Sequence, residues 1–352
     1  MRRRLVVLAL VLLAPALASA EITVPPGFRV QTYVSGEGFD SSQERGARGV
    51  PSVSTLAFDP AGVLYLARTG RRYIAPGGEI EDIWPVYRIP VGGARFTPRT
   101  EKQFFYGPPL ANPQIGLVRG ERELFVTTYD RDRKIGVLYR FVDGRAELFA
   151  GGRPDAGAPP LLRQPEGVAL DPGGGLFVAD RLEGAVVRLD GSGRLAARRH
   201  VEVLRPRALA VDRDGALWVG ADGTAEAPWQ QQAEGQIWRV SPEGVPRLVL
   251  QGPIPQAIAL SPGGNLLVAD RHAGHLFIVT PDGARIDFIR FTDGDAPRSL
   301  AVAPVTPATE RAGIAGQLFV VVIKGSAWPV NEILRLSGSI DDFVRERRPR
   351  TP

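Results

Sequence analysis

The chain has no cysteine among its 352 residues. It therefore forms no disulfide and offers no thiolate to a metal, no attachment point for a c-type haem and no cysteine for a lipid anchor. Histidine is almost as scarce, since the three imidazoles are those of His200, His272 and His275. A site with three histidine ligands would need all of them at once, so other chemistry must come from carboxylates, amides and arginines.

Long hydrophobic runs are also missing. The apolar run at residues 5–17 has 13 residues, whereas a membrane-spanning helix needs roughly 20. The run follows Arg2, Arg3 and Arg4 and precedes three small residues, an order typical of a secretory signal peptide. We therefore predict a signal peptide over residues 1–20, cleavage near Ala20, a periplasmic or secreted mature protein and no membrane span after cleavage.

Strong net charge is absent once the signal peptide is removed. The formal charge of +5 falls to +2 when the three signal arginines leave. A balance this close to neutral does not favour nucleic acid as a partner. The one dense basic stretch, residues 345–350, lies in a tail at residues 341–352 that we expect to be frayed and solvated.

A segment of 16 residues recurs along the chain. Its clearest copy is PEGVALDPGGGLFVAD at residues 165–180. Similar copies occupy residues 53–68, 206–221 and 255–270, and divergent ones occupy residues 113–128 and 297–322, the last with an insertion around residues 304–316. Each copy contains two apolar runs separated by a turn with glycine, such as Asp59 to Gly62 and Asp212 to Gly215, whose aspartates we expect to be structural.

Two further apolar runs follow the repeated segment in each unit, as at residues 236–240 and 247–250. Six units of four short strands, spaced roughly 40 to 60 residues apart, predict an all-β fold. The expected architecture is a six-bladed β-propeller of four-stranded antiparallel blades.

The sixth unit has a third run at residues 332–336 but no fourth, whereas residues 28–34 precede the first unit with no blade of their own. The N-terminal strand is therefore predicted to complete the last blade, which closes the ring and removes exposed sheet edges. The domain organisation becomes a signal peptide at 1–20, one propeller at 21–340 and a basic tail at 341–352.

The repeat pattern resembles that of the NHL-repeat superfamily over essentially the whole mature chain. The resemblance implies a six-bladed propeller and specifies function poorly, since one fold serves many activities.

The residue just before each first strand of a propeller lies at the mouth of the central channel. These positions, which we call the ring, are polar in all six units: Ser54, Gln114, Glu166, Arg207, Gln256 and Arg298. Two arginines with a single acid favour an anionic or polyhydroxylated ligand. An alternative stays open, in which Glu166 and Arg207 form a structural ion pair that neutralises a narrow channel.

Further candidates end second strands on the same face. They are Arg68, Asp180 and Asp270, where the aspartates are either ligands or turn and salt-bridge residues. Two long loops on this face, residues 69–82 and 222–235, carry Arg71, Arg72, Tyr73, Trp229 and three glutamines. A polar mouth walled by long loops is where a ligand is expected.

The repeat phrase is similar to that of the senescence marker protein and gluconolactonase family. That resemblance implies a sugar lactone hydrolase with a divalent metal held by Glu, Asn and Asp at the channel mouth. Only Glu166 matches, because Arg207 and Gln256 stand in the neighbouring blades. We therefore predict no metal ligand set and name Glu166 as the best candidate for a catalytic residue.

The phrases VPPGFRV at residues 24–30 and QLFVVVIKGSAW at 317–328 resemble segments near the two ends of soluble quinoprotein glucose and sorbosone dehydrogenases. The resemblance implies pyrroloquinoline quinone and a histidine base from an early blade. No histidine precedes His200, and we expect His272 and His275 in a surface loop of the fifth blade. A divalent metal or the quinone therefore stays open as a cofactor.

The leading prediction is an exported propeller that binds a small polar or anionic molecule, or a periplasmic protein, at the channel mouth. An enzyme acting on a sugar or sugar lactone at the same mouth is the alternative. A scaffold that uses the rim around Tyr73 and Trp229 is a third. The sequence gives no prediction of oligomeric state.

Overall fold

Six sheets surround a central channel in the computed structural model of the chain. The structure describes residues 22–37, 50–51, 53–68, 83–130, 133–155, 157–226, 230, 233–325 and 330–348. The predicted signal peptide and the loop at residues 69–82 lie outside these residues. Of the helices in the described part, none is long and apolar enough to cross a membrane.

The chain begins with strands that belong to later blades and then builds the first blade. The early strands are β1 (Ile22–Thr23), β2 (Arg29–Gly36) and β3 (Val50–Pro51). Blade one contains β4 (Val53–Phe58), β5 (Leu64–Arg68) and β6 (Ile83–Ile89), with β7 (Ala94–Phe96) and a 3₁₀ helix (Glu101–Phe104) leading to its fourth strand, β8 (Phe105–Ala111).

Blades two to five each take four consecutive strands. Blade two has β9 (Gln114–Arg119), β10 (Glu123–Asp130), β11 (Ile135–Val142) and β12 (Arg145–Gly151). Blade three has β13 (Pro165–Leu170), β14 (Leu176–Asp180), β15 (Ala185–Leu189) and β16 (Leu195–Glu202). Blade four has β17 (Pro206–Val211), β18 (Leu217–Ala221), β19 (Gly235–Val240) and β20 (Pro246–Gly252). Blade five has β21 (Pro255–Leu260), β22 (Leu266–Asp270), β23 (His275–Val279) and β24 (Arg285–Phe291).

Blade six joins the two ends of the chain. Its first three strands are β25 (Ala296–Val302), β26 (Leu318–Ile323) and β27 (Val330–Ser337), and β2 pairs antiparallel with β27 as the fourth. The predicted closure by the N-terminal strand is thereby confirmed. The structure adds three pairings that the repeats do not reveal: β7 runs parallel to β2, β3 pairs with β27, and β1 extends blade five beside β24.

The tight turns of the repeats hold their shape through aspartate side chains. Asp59 accepts from the backbone N–H of Val63 at 2.8 Å, and Asp212 accepts from that of Ala216 at 2.9 Å. The glycine of the blade-one turn, Gly62, has a φ of +86°, a conformation that disfavours a side chain. The structural role predicted for these aspartates is confirmed.

The C-terminal segment differs from the expected frayed tail. Two short helices occur in the described chain, α1 (Pro307–Arg311) in the blade-six insertion and α2 (Ile340–Arg347) after β27. Helix α2 buries Phe343 and Val344, and Asp341 accepts from the N–H of Gly263 at 2.7 Å. The apolar face of this helix packs against blade five, through contacts such as that between the rings of Phe343 and Phe288, whereas the boundary between propeller and tail at residue 340 stays a prediction. The arginines at its end, Arg345 and Arg347, are exposed but still belong to the helix.

Candidate functional site

The first strands of the six blades contact one another around the channel, and the six ring side chains meet at one end of it. All six line a single cavity of about 650 Å³. Gln164, Arg181 and Glu226 line it as well. The sequence therefore identified residues that the tertiary structure brings together at one mouth, where pockets of this size commonly hold small ligands.

The ring residues lie within their strands, not before them as predicted. In five blades the pairing between the first two strands shifts register at the ring residue, as where Pro206 and Ala208 pair with consecutive residues and leave Arg207 between them. An extra residue of this kind is a β-bulge, which redirects its side chain. In blade two the extra residue is Gly116, which lies two residues after Gln114.

An apolar layer lies beneath the polar ring. Two residues after each ring position, the side chains that line the cavity are aliphatic in five blades: Leu56, Val168, Leu209, Ile258 and Leu300. Blade two has Gly116 there, where an added Cβ would lie 2.6 Å from the Cβ of Val168. Successive residues of a strand alternate in direction, so a ring residue and the residue two beyond it share the channel side. The cavity therefore has a polar mouth and an apolar floor.

Glu166 is fully engaged by its neighbours. One carboxylate oxygen accepts from Gln164 Nε2 at 2.8 Å, and the other accepts from Gln114 Nε2 and lies 3.6 Å from Arg207 Nη1. Its backbone oxygen accepts from Thr127 Oγ1 at 2.9 Å. Two hydrogen bonds and one ion pair therefore hold the carboxylate in place.

The main partner of Arg207 is Asp222, a residue that the repeat alignment missed. Asp222 is completely buried and accepts from Arg207 Nε at 2.8 Å and Nη2 at 2.6 Å. It also accepts from Arg181 Nε at 2.9 Å. Burial opposes the charge of Arg207, but the carboxylates of Glu166 and Asp222 outweigh it and raise the pKa of Arg207 above its ordinary value.

The other side of the mouth carries positive charge. Burial, together with the like charges of Arg271 and Arg207, lowers the pKa of Arg298 to about 10. Burial and the charge of Arg207 also lower the pKa of Arg271. Among the described residues that line the cavity, the carboxylates are Glu166 and the exposed Glu226, both from blades three and four. Repulsion between arginines is thus concentrated at blades five and six.

Two uncharged ring residues, Ser54 and Gln256, differ in whether their polar side-chain atoms are hydrogen-bonded. Ser54 is buried and donates to the carbonyl of Ala67 at 3.2 Å, so its hydroxyl is used within blade one. Gln256 has a buried side-chain oxygen, Oε1, that accepts no hydrogen bond from the described residues. A buried amide oxygen without a donor costs free energy, so Gln256 is an acceptor available to a ligand.

The mouth therefore divides into two sets of side chains. We call Gln114, Gln164, Glu166, Arg181, Arg207 and Asp222 the carboxylate half, and Gln256, Arg271 and Arg298 the arginine half. The first set is linked by hydrogen bonds and ion pairs, whereas the second combines like charges with an unused acceptor.

The candidates at the ends of second strands serve the scaffold. Asp180 accepts from the backbone N–H groups of Arg163, Gln164 and Glu183, and Asp270 accepts from that of Ala273. Asp180, Asp270 and Arg68 do not line the cavity. Asp180 is followed by Arg181, which lines the cavity, because adjacent residues of an extended chain point to opposite faces.

Arg68 also belongs to the interior of its blade. It donates to Tyr87 Oη at 2.8 Å and pairs with Glu101 at 3.2 Å, and its guanidinium lies 3.8 Å from the ring centroid of Trp84. These contacts fix the end of β5 and use the charge of Arg68 away from the cavity.

No histidine lines the cavity. His200 stacks on Phe177 with ring centroids 4.9 Å apart, and burial lowers its pKa. His275 begins β23 and is buried, so the prediction that it lies in a surface loop is wrong, because the strand starts earlier than the apolar run indicates. Tyr73 and Trp229, predicted on the rim, lie outside the described residues.

The fold and this mouth define a six-bladed β-propeller with a polar central cavity. No protein-family model and no curated protein matches the chain. Solved propellers match in structure at low identity. An aldose sugar dehydrogenase from Streptomyces coelicolor, solved with PQQ bound, is 13% identical over 90% of this chain and 99% of that chain, with a TM-score of 0.54.

Two further structures cover a similar share of the chain. An auxiliary nutrient-binding protein from Bacteroides thetaiotaomicron is 12% identical over 91% of this chain and 77% of that chain, with a TM-score of 0.56. A virginiamycin B lyase from Staphylococcus aureus is 12% identical over 90% of this chain and 99% of that chain, with a TM-score of 0.50. At this identity the likeness establishes the fold alone, and assignment to the NHL repeats stays a prediction.

Proposed function

We propose that the protein is an exported propeller that binds a small anionic ligand at its channel mouth. Export is inferred from residues 1–20 alone. The observation that carries the binding proposal is the lining of the cavity, to which Arg181, Arg207 and Arg298 contribute three guanidinium groups, whereas the carboxylates among the described lining residues are Glu166 and Glu226. A guanidinium fork matches the geometry of a carboxylate or phosphate, so these arginines suit an anionic ligand.

The structural ion pair considered for Glu166 and Arg207 is present at 3.6 Å, but it accounts for only one side of the mouth. Arg207 also has Asp222, so the carboxylate half is balanced internally. Among the described lining residues, those of blades five and six include no carboxylate, and Arg298 is subject to the like charges of Arg271 and Arg207. This charge distribution supports an anion as the ligand.

The enzyme alternative has less support from the described residues. They hold no group of three or more His, Asp or Glu side chains suited to a metal ion. The arginines could meet an anionic cofactor such as pyrroloquinoline quinone, but no histidine at the mouth could take a proton from a sugar hydroxyl. The residues present therefore do not fit the quinoprotein mechanism.

Calorimetric titration of the protein starting at Glu21 with citrate and with inorganic phosphate would test the anion site. We expect saturable binding by the native protein and a loss of about 100-fold or more in Arg298→Met, since removing one partner of a buried charge pair costs several kcal/mol. Arg345→Met is the matched control, because Arg345 is exposed on α2. Absence of binding by the native protein, or equal affinity in Arg298→Met, would overturn the proposal.

A further inference from the structure

The guanidinium of Arg181 is fixed along one edge by groups of the neighbouring blade. Its Nε donates to the buried carboxylate of Asp222 at 2.9 Å, and its Nη2 donates to the backbone oxygens of Ala225, at 3.5 Å, and of Glu226. Arg181 follows β14 of blade three, whereas Asp222 follows β18 of blade four. Because the guanidinium is planar and rigid, contacts to these two nitrogens set the direction of the whole group.

The third nitrogen of this guanidinium, Nη1, is open. It has two N–H groups and donates to none of the described residues. The buried polar atoms that lack a partner in the described chain do not include Nη1, so this nitrogen is accessible. The side chain of Arg181 lines the cavity and is 12% exposed. An acceptor on a ligand in the cavity can therefore bind Nη1.

Arg207 differs from Arg181, although both donate to Asp222. Nε and Nη2 of Arg207 bind the Asp222 carboxylate, and its Nη1 lies 3.6 Å from Glu166. Every nitrogen of Arg207 therefore faces a carboxylate, whereas Arg181 keeps one nitrogen for a ligand. The charges of the carboxylate half are balanced, but its donors are not all used.

An open, charged donor in the cavity extends the anion site proposed above and rests on that site. We propose that Arg181 Nη1 donates to an oxygen of the bound carboxylate or phosphate, and that Asp222 is the positioning residue that holds Arg181 in this orientation. An arginine that is already oriented loses little freedom when the ligand binds. Asp222 does not line the cavity, so its effect on the ligand passes through Arg181.

Calorimetric titration with citrate tests the contact assigned to Arg181. Arg181→Lys keeps the positive charge, but a single ammonium cannot hold Asp222 with one edge and offer a separate nitrogen to the ligand. We expect citrate to bind this variant at least about tenfold more weakly than the native protein, since a charged hydrogen bond is lost. Arg188→Lys is the matched control and should bind as the native protein does, because Arg188 pairs with Asp171 at 2.7 Å in the same blade without lining the cavity.

The sign of a second change tests positioning by Asp222. Asp222→Asn and Glu166→Gln each remove one negative charge from the carboxylate half, and loss of charge alone should strengthen citrate binding in both. Asp222 contacts Arg181, whereas the described partners of Glu166 do not include Arg181. We therefore expect weaker citrate binding in Asp222→Asn and stronger binding in Glu166→Gln, measured on protein that circular dichroism shows to be folded.

The results distinguish this contact from the anion site itself. If Arg181→Lys binds citrate as tightly as the native protein, the contact is wrong and the anion site stands. If folded Asp222→Asn binds citrate as tightly as the native protein or more tightly, Asp222 is not a positioning residue. If the native protein binds neither citrate nor inorganic phosphate, the anion site and the contact both fail. Should Asp222→Asn not fold, the comparison of Arg181→Lys with Arg188→Lys decides.

Discussion

The two halves of the channel mouth use the same residue types in opposite ways. In the carboxylate half, Arg207 is held by Asp222 at 2.6 Å and lies 3.6 Å from Glu166. In the arginine half, Arg298 faces like charges and its pKa falls to about 10. A ring position therefore does not define a function. The neighbours that the fold supplies decide whether burial and nearby charges favour or oppose the charged form of a ring arginine.

The difference implies different contributions to stability. Charges that are buried and paired support the fold, because removing one partner leaves the other uncompensated. Charges held against like charges oppose folding and persist where binding requires them. Substitutions in the two halves should therefore change stability in opposite directions.

The largest effect is expected in the carboxylate half. Asp222→Asn removes the charge that binds both Arg181 and Arg207, so the free energy of unfolding should fall by about 3–5 kcal/mol. Urea unfolding followed by circular dichroism measures this change. Asp155→Asn, at an exposed position, is the control, and a similar small loss in both variants would show that the buried pairs are not needed for stability.

Arg298→Met should stabilise the protein while abolishing anion binding. Removing the repelled charge should raise the free energy of unfolding by about 1 kcal/mol at pH 7. Thermal unfolding of the ligand-free protein checks the sign. A lower melting temperature in this variant would mean that Arg298 supports the scaffold as Arg207 does, and the contrast between the halves would disappear.

The pH dependence of that difference follows from the lowered pKa of Arg298. A group whose pKa is lower in the folded state destabilises the fold while it is protonated, and this penalty is removed as pH rises through the folded pKa. The advantage of Arg298→Met should therefore be constant near neutral pH and shrink as pH rises through about 10. Unfolding of both proteins across that range would show a constant gap if Arg298 titrated as an ordinary arginine.

The smallest effect concerns Glu166. Glu166→Gln weakens the hydrogen bonds to Gln114 and Gln164 but leaves Arg207 with Asp222, so stability should fall by only about 1 kcal/mol. Loss of a negative charge from the mouth should raise citrate affinity by about twofold. Loss of citrate binding, or of a sugar lactone turnover shown by the native protein, would instead assign Glu166 a direct role.

The repeats predicted the fold well because every blade is a local pattern. Apolar runs separated by Asp and Gly turns specify four strands, and the missing fourth run of the last unit matches β2. The sequence did not indicate β1, β3 or β7 as extra strands, since each is only two or three residues long. Helix α2 was not predicted, because the basic residues that follow Phe343 and Val344 indicated a solvated tail, although both of these side chains are buried.

The site was predicted less completely. The ring was found because its residues hold the same place in each repeat, and all six line the cavity. Asp222 was missed because it lies one position beyond the repeated segment, where Ala221 takes the place of Asp180 and Asp270 and Asp222 takes the place of Arg181 and Arg271. Two features of the sequence could have identified Asp222. It is an aspartate next to the end of a second strand, and the aspartates of the neighbouring blades, Asp180 and Asp270, are each followed by an arginine.

The sequence by itself determined the six-bladed architecture, its closure and the polar ring, because these depend on strand periodicity and turn chemistry within each unit. Only the tertiary structure decided which ring charges are balanced. That outcome depends on bulges that redirect side chains and on contacts between blades, such as the one between Arg181 and Asp222, 41 residues apart. Electrostatic energy depends on distance and burial, which no local pattern specifies.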